Sequence, residues 1–390
     1  MKYNFDEIIN RKGSNSIKYD LCDKIFGTSD LIPMWVADMD FKTPDFIIKA
    51  LEQRLKHPVL GYSLRPDSYY KSIINWNKKK HNWNIKQEWI SFSPGVVPGF
   101  NMAILALSKP GDKIIIQPPV YFPFFTAINN NNRIEVDNTL VLKNNYYDID
   151  FDDLEEKMKD AKIFLLSNPH NPGGRVWTRA ELKRIGEMCI KNDVIILSDE
   201  IHSDLIMKNH KHIPMASISE EIAERTICFM APSKTFNIAG LSTSYLVISN
   251  EVLRKKYEQV VENLHVNFGN IFGTSALEVA YNFGEDWLKQ LIDYVQANID
   301  FAADYLKKNI PEIKLVRPEA TYLLWLDCRD LNMSNEELKD FMINKAKLGL
   351  NDGPTFGPGG EGFQRMNVAC PRSTLAIALD RIKNAVEKIR

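Results

Sequence analysis

Between residues 89 and 249 the sequence repeats one pattern: a short apolar run, a turn containing Pro, Gly or Asn, then a stretch with helical spacing. The apolar runs lie at 89–93, 113–117, 162–167, 194–198, 226–230 and 244–249. They are too short for helices and lack the alternation of a half-exposed strand, so they read as strands buried on both faces. Helices are expected at 98–108 and from a capping box, Thr178 with Glu181, to Lys191. Strands alternating with helices predict an α/β fold with a largely parallel sheet covered on both sides.

The flanks have a different rhythm. Residues 46–55 and 69–80 have helical spacing. From 285 onward, Leu288, Leu291, Ile292, Val295, Ile299, Ala302 and Leu306 mark one face of a long amphipathic helix. Strands are expected at 314–316, 322–327 and 365–369. Ser334 and Glu337 should cap a helix, a loop at 353–362 follows, and Ser373 opens the last helix. A chain of 390 residues exceeds one ordinary core. We expect a large domain at 46–284 and a smaller α+β domain formed by 1–45 and 285–390. A formal net charge of −1 implies no broad basic face, which argues against nucleic acid as a partner. Five scattered cysteines, none spaced Cys-x-x-Cys, argue against a disulfide framework and for a reducing compartment. With no apolar signal core and no membrane-length apolar run, the expected location is the cytoplasm.

Ligands of open α/β sheets bind at the carboxyl ends of the strands. Five such ends carry suggestive residues. Ser93-Pro-Gly-Val-Val-Pro-Gly99 leads into a helix whose first N–H groups suit a phosphate. In Gln117-Pro-Pro-Val-Tyr-Phe-Pro123, Tyr121 is placed to lie against a planar ring. Asn168-Pro-His-Asn-Pro-Gly-Gly174 offers amide donors. In Ser198-Asp-Glu-Ile-His202, a carboxylate ends a buried strand and must find a cation or become neutral. Finally, Ala231-Pro-Ser-Lys-Thr-Phe-Asn-Ile-Ala-Gly-Leu241 places Lys234 just past a strand, where burial favours the neutral amine that forms Schiff bases. Taken singly, each string is also an ordinary turn or cap.

In this order the strings resemble the fold-type-I pyridoxal-phosphate (PLP) enzymes. They are most similar to the cystathionine β-lyase branch of the aminotransferase class I/II family. Pro33-Met-Trp-Val-Ala-Asp-Met-Asp-Phe41 and Gly362-Phe-Gln-Arg-Met-Asn-Val-Ala-Cys-Pro-Arg-Ser373 extend the likeness across the chain. The resemblance implies a seven-stranded, mostly parallel sheet in the large domain and PLP as cofactor. Lys234 would hold PLP through an imine and act as catalytic base. Asp199 would pair with the pyridine nitrogen, Asn171 and His202 would lie near the ring oxygen, and Tyr121 would stack on the ring. Gly95, Val96, Val97 and Ser233 would bind the phosphate, joined by Tyr62 from the second subunit of a homodimer. Arg365, with the backbone at Ala37 and the amide of Asn171, would clamp the substrate carboxylate.

The implied reaction is β-elimination from a sulfur amino acid such as cystathionine, giving a thiol, pyruvate and ammonia, with Lys234 or Tyr121 protonating the sulfur. The alternative is an aminotransferase sharing every cofactor residue. Two positions depart from many aminotransferases: Ala231 replaces a serine and Ser242 an arginine, so the phosphate should depend more on N–H groups, Ser233 and the partner chain. Gly357-Pro-Gly-Gly-Glu-Gly362 follows no clear strand and is not read as a dinucleotide loop. His202, His210 and His212 lack the further ligands of a metal site, and no metal is expected.

Overall fold

A computed structural model describes residues 2–390. The central sheet has seven strands: β1 (Ile90–Ser93), β2 (Lys113–Ile116), β3 (Ile134–Asp137), β4 (Ala161–Ser167), β5 (Ile195–Asp199), β6 (Thr226–Met230) and β7 (Ser244–Val247). Their order is β1-β7-β6-β5-β4-β2-β3. β7 runs antiparallel to both neighbours, and the remaining pairs are parallel. Side chains alternate between two cores. Ile115, Phe164, Leu166 and Ile196 enter one, whereas Ile114, Ile163, Leu165 and Leu197 enter the other. Burial on both faces is why these runs are continuously apolar.

The edge strand β3 escaped the sequence reading for the complementary reason. Its residues are partly exposed and half of them are acidic, so no apolar run marks it. The hairpin of Val141–Lys143 with Tyr146–Asp148 and the helices Glu251–Asn263 and Ile271–Phe283 were likewise not anticipated.

The helices that matter for the site are α1 (Asp67–His81), α2 (Val96–Leu107), α3 (Arg179–Lys191), α4 (Glu285–Asn309) and α5 (Arg372–Val386). α2 starts two residues before the expected 98. Pro98 sits in its first turn, where a missing N–H breaks no helical bond. Both capping boxes form, at Thr178 with Glu181 and at Ser334 with Glu337. Ser373 does not open the last helix: α5 begins at Arg372 after Pro371 and has no side-chain cap.

Four strands form the small antiparallel sheet: β8 (Lys314–Val316), β9 (Leu323–Asp327), β10 (Asn351–Asp352) and β11 (Phe363–Asn367), ordered β8-β9-β11-β10. β11 lies two residues earlier than the expected 365–369, and the Val368 N–H still donates to the Tyr322 carbonyl (2.9 Å) in register with the ladder. The face of α4 expected from spacing is buried, except that Ile292 at its margin is half-buried. Ile32–Pro33 pairs in parallel with Leu348–Gly349. That pairing supports grouping residues 1–45 with 285–390 as one unit, the division we propose. Among the described residues no helix is long and apolar enough to cross a membrane.

Candidate functional site

The carboxyl ends of β1, β2, β4, β5 and β6 converge on a cavity of about 200 Å³. Of the residues singled out from sequence, Ala37, Gly95, Val96, Val97, Tyr121, Asn171, Asp199, His202, Ser233 and Lys234 line it. Arg365 stands one hydrogen bond behind, its Nη1 donating to Asn171 Oδ1 at 3.0 Å. Tyr62 does not join them within one chain. It is 94% exposed and leans on Phe268 with ring centroids 5.3 Å apart.

Lys234 follows β6 in a tight turn closed by the Phe236 N–H on the Pro232 carbonyl (2.9 Å). Its Nζ donates to the carbonyl oxygen of Ala37 at 2.7 Å. Burial pushes its pKa down to about 8; nearby Asp38 and Asp199 oppose this, and Arg365 adds to it. A lysine so placed has a neutral fraction near physiological pH far above that of an ordinary lysine, and the neutral form is the one imine formation requires.

Two residues given no role from sequence hold this geometry. Asn237, in the left-handed region at φ 56°, donates to the carbonyls of Met39 and Phe41 (3.0 Å each) and accepts from the Met39 N–H (2.9 Å). It fastens the loop bearing Ala37 to the lysine turn. Tyr322 Oη donates to the same Ala37 carbonyl at 3.0 Å. Asn237 lies inside the Lys234 string, so its place in that string was the available signal. Tyr322 read only as the start of a strand.

Asp199 ends β5 and is buried, and its carboxylate accepts one bond, from the Ile201 N–H at 3.1 Å. Burial raises its pKa to about 7. His202 is held neutral, pushed down to about 3 by burial and then by Lys234 and Arg365, and its Nδ1 has no partner among the described residues. Tyr121 is raised to about 12, chiefly by burial, so its phenol keeps its proton. Arg365 comes from β11. Its Nη2 donates to the Trp35 carbonyl (3.0 Å) and to Asn351 Oδ1 (2.6 Å), while Nε has no partner among the described residues. Burial lowers it to about 10.

Among the described residues, the site therefore holds a buried carboxylate with no cation bonded to it and a buried guanidinium with no anion bonded to it. It also holds a partly neutral lysine and a helix N-terminus at Gly95 with Val96 and Val97. Such a set fits a planar aldehyde with a basic ring nitrogen and a phosphate, together with a substrate carboxylate.

The model of the family described as aminotransferase class I and II matches residues 29–382. The chain belongs to this family. Cystathionine beta-lyase PatB of Bacillus subtilis is 42% identical over 385 residues, covering 98% of this chain and 100% of PatB. A PLP-bound protein of Clostridium difficile 630, provisionally named an aminotransferase, superposes with TM-score 0.97 at 50% identity, covering 99% of this chain and 100% of the other. Cystalysin of Treponema denticola, which contains pyridoxal 5'-phosphate, superposes with TM-score 0.98 at 39% identity over 100% of both chains. The last two show the fold of the family on this chain from end to end.

Proposed function

We propose that the chain is a PLP-dependent carbon–sulfur lyase of the cystathionine β-lyase type, cleaving a sulfur amino acid to a thiol, pyruvate and ammonia. The observation that carries the reading is the coincidence in one cavity of Lys234 with a pKa near 8 and Asp199 without a cation. Full-length likeness to PatB and cystalysin supports the choice of reaction. When bound, PLP supplies an electron sink conjugated to the substrate Cα. Lys234 would hold it, Asp199 would keep a proton on its ring nitrogen, and Tyr121 would pack on its face. Asn171 and His202 would lie beside its ring oxygen, and Gly95, Val96, Val97 and Ser233 would surround its phosphate.

The chain's own groups then do the following. Arg365, held by Asn171, Trp35 and Asn351, receives the substrate carboxylate and fixes Cα in front of Lys234. Neutral Lys234 Nζ takes the Cα proton. When the Cβ–S bond breaks, its electron pair leaves with sulfur, and the protonated Lys234 or the Tyr121 phenol returns a proton to the thiolate. The loop around Ala37 closes one side of the cavity and limits the entry of water.

Incubation of pure protein with cystathionine and no keto acid should release pyruvate and thiol at a steady rate over many turnovers. A single turnover that stalls until a keto acid is added would instead identify an aminotransferase. Arg365→Lys should lower kcat/KM for cystathionine by tenfold to about a hundredfold, because a charge-assisted fork worth roughly 1.5–3 kcal/mol is replaced by a point charge. Most of the loss should appear in KM; an unchanged KM would show that the carboxylate binds elsewhere.

The exposed side chains of Val59, Leu60, Tyr62, Leu64 and Phe268 support a homodimer in which Tyr62 enters the neighbouring cavity. Tyr62→Ala should leave the dimer intact in sedimentation and make PLP dialyse away faster. Unaltered retention would remove Tyr62 from the site. A cytoplasmic location is supported by five cysteines that are all free and buried.

A further inference from the structure

Lys234 and Tyr322 donate to one oxygen, the Ala37 carbonyl, at 2.7 and 3.0 Å. Tyr322 is buried, and this is the one hydrogen bond of its hydroxyl among the described residues. Burial pushes the phenol well above its ordinary range, so it keeps its proton and donates. The residue before it, Thr321, is β-branched and buried, and has φ 73° in the left-handed region. Such a conformation persists only where its surroundings impose it. Here the Thr321 N–H donates to the Leu205 carbonyl (2.7 Å), and Thr321 Oγ1 accepts from the Leu323 N–H (3.1 Å) at the start of β9. A strained residue thus directly precedes the tyrosine that reaches Ala37.

The loop does not need this tyrosine to stay in place. Asn367, at the end of β11, donates through Nδ2 to the carbonyls of Val36 (2.7 Å) and Asp38 (2.6 Å), which flank Ala37. The Asn367 N–H donates to the Met34 carbonyl (2.8 Å), the Asp40 N–H donates to the Ala369 carbonyl (2.8 Å), and Asn237 holds Met39 and Phe41. With Ala37 gripped on both sides, the effect of Tyr322 falls on the charge of the shared oxygen. That oxygen has two lone pairs. A phenol on one leaves less negative charge for a donor on the other. An ammonium gains more than a neutral amine from an acceptor, so an unshared carbonyl would hold Lys234 protonated against the loop.

We propose that Tyr322 is a positioning residue for the lyase reaction: by sharing the Ala37 oxygen it keeps the loop from capturing the Lys234 amine, and leaves that amine free for the cofactor and the substrate Cα. This role presupposes Lys234 as anchor and base, as proposed above. The other groups facing the amine are Asp38, Asp199, Arg365 and the neutral His202. Asp38 is paired with Arg11 at 2.6 Å, and the His202 ring meets the Tyr322 ring edge-on with centroids 6.4 Å apart. Tyr322→Phe keeps the ring and alters none of these charges, so it isolates the hydroxyl.

The test is acylation of Lys234 in cofactor-free, full-length protein as a function of pH, read by mass spectrometry of the Lys234 peptide. In Tyr322→Phe the curve should move up from about 8 by about half to one pH unit, the scale of one hydrogen bond, which at pH 7 slows labelling about threefold to tenfold. Asn367→Ala, which loosens the loop and withdraws the carbonyl, should move the curve the other way. A merely structural role for Tyr322 would make both variants move alike. In PLP-loaded protein, Tyr322→Phe should lower kcat for cystathionine by about threefold to tenfold at pH 7 and recover as the pH rises. KM should change by less than about twofold, because the hydroxyl acts through Ala37 and touches no substrate. A variant curve that stays in place or moves down overturns the role of Tyr322 and leaves the lyase reading intact. A parent Lys234 that titrates with ordinary lysines overturns the reading of Lys234, and the role of Tyr322 with it.

Discussion

Lys234→Ala is expected to lower pyruvate release from cystathionine by about a thousandfold or more, since one amine serves both as covalent anchor and as base and a positioned base alone contributes 10²–10⁴-fold. Folding should survive the change. The side chain projects into the cavity and makes one hydrogen bond, to the Ala37 carbonyl, which Tyr322 also engages. The measurement is a single-turnover assay at saturating cystathionine with the variant reloaded with PLP, so that weak retention is not mistaken for slow chemistry. Borohydride reduction of the parent followed by peptide mapping should place the cofactor on the peptide containing Lys234. A variant within tenfold of the parent rate, or a label on another lysine, would require a different base and a different anchor. The pH profile gives an independent check. With its pKa near 8, Lys234 in cofactor-free protein should react with acylating reagents along a titration curve centred there, well below that of ordinary lysines.

Much of this site was legible because buried parallel strands announce themselves. β4, β5 and β6 have apolar centres, and the carboxyl end of each must carry whatever chemistry the sheet offers, which led to Asn171, Asp199 and Lys234. The strings at 93–99 and 117–123 were found in the same way, and Val96, Val97 and Tyr121 do line the cavity. What sequence spacing could not express is contact across the chain. Asn237 bonds to Met39 and Phe41, nearly two hundred residues away, and neither partner carries a mark of the pairing. Tyr322 begins a stretch of strand-like residues, and only the fold turns its hydroxyl toward Ala37. The same limit explains β3, whose exposed edge leaves a polar pattern, and the two-residue offset of α2, where Pro98 sits inside the first turn. Tyr62 is the converse case: its assigned place is in a second copy, so a single chain leaves it in solvent.

Asp199→Asn should have opposite effects on activity and on the stability of the cofactor-free protein. Turnover should fall by at least tenfold to a hundredfold, because a neutral amide does not hold a proton on the ring nitrogen and a charged hydrogen bond is worth roughly 1.5–3 kcal/mol. Stability follows from linkage. In the cofactor-free fold the carboxyl has a pKa of about 7, raised by burial from 3.8. Between those values the folded state binds more protons than the unfolded state, so stability declines as pH rises through that window. The penalty is absent below about pH 4 and complete above about pH 7, where it reaches at most about 4 kcal/mol at 1.36 kcal/mol per pKa unit. Cofactor-free Asp199→Asn protein should therefore melt above the parent at pH 8 and equal it at pH 4. Loading PLP should reverse the order at pH 8, since the parent alone then gains a cation for its buried carboxylate. Parent and variant with the same cofactor-free melting temperature at pH 8 would mean that Asp199 already has a compensating charge, and its assigned role at the ring nitrogen would lose its physical basis.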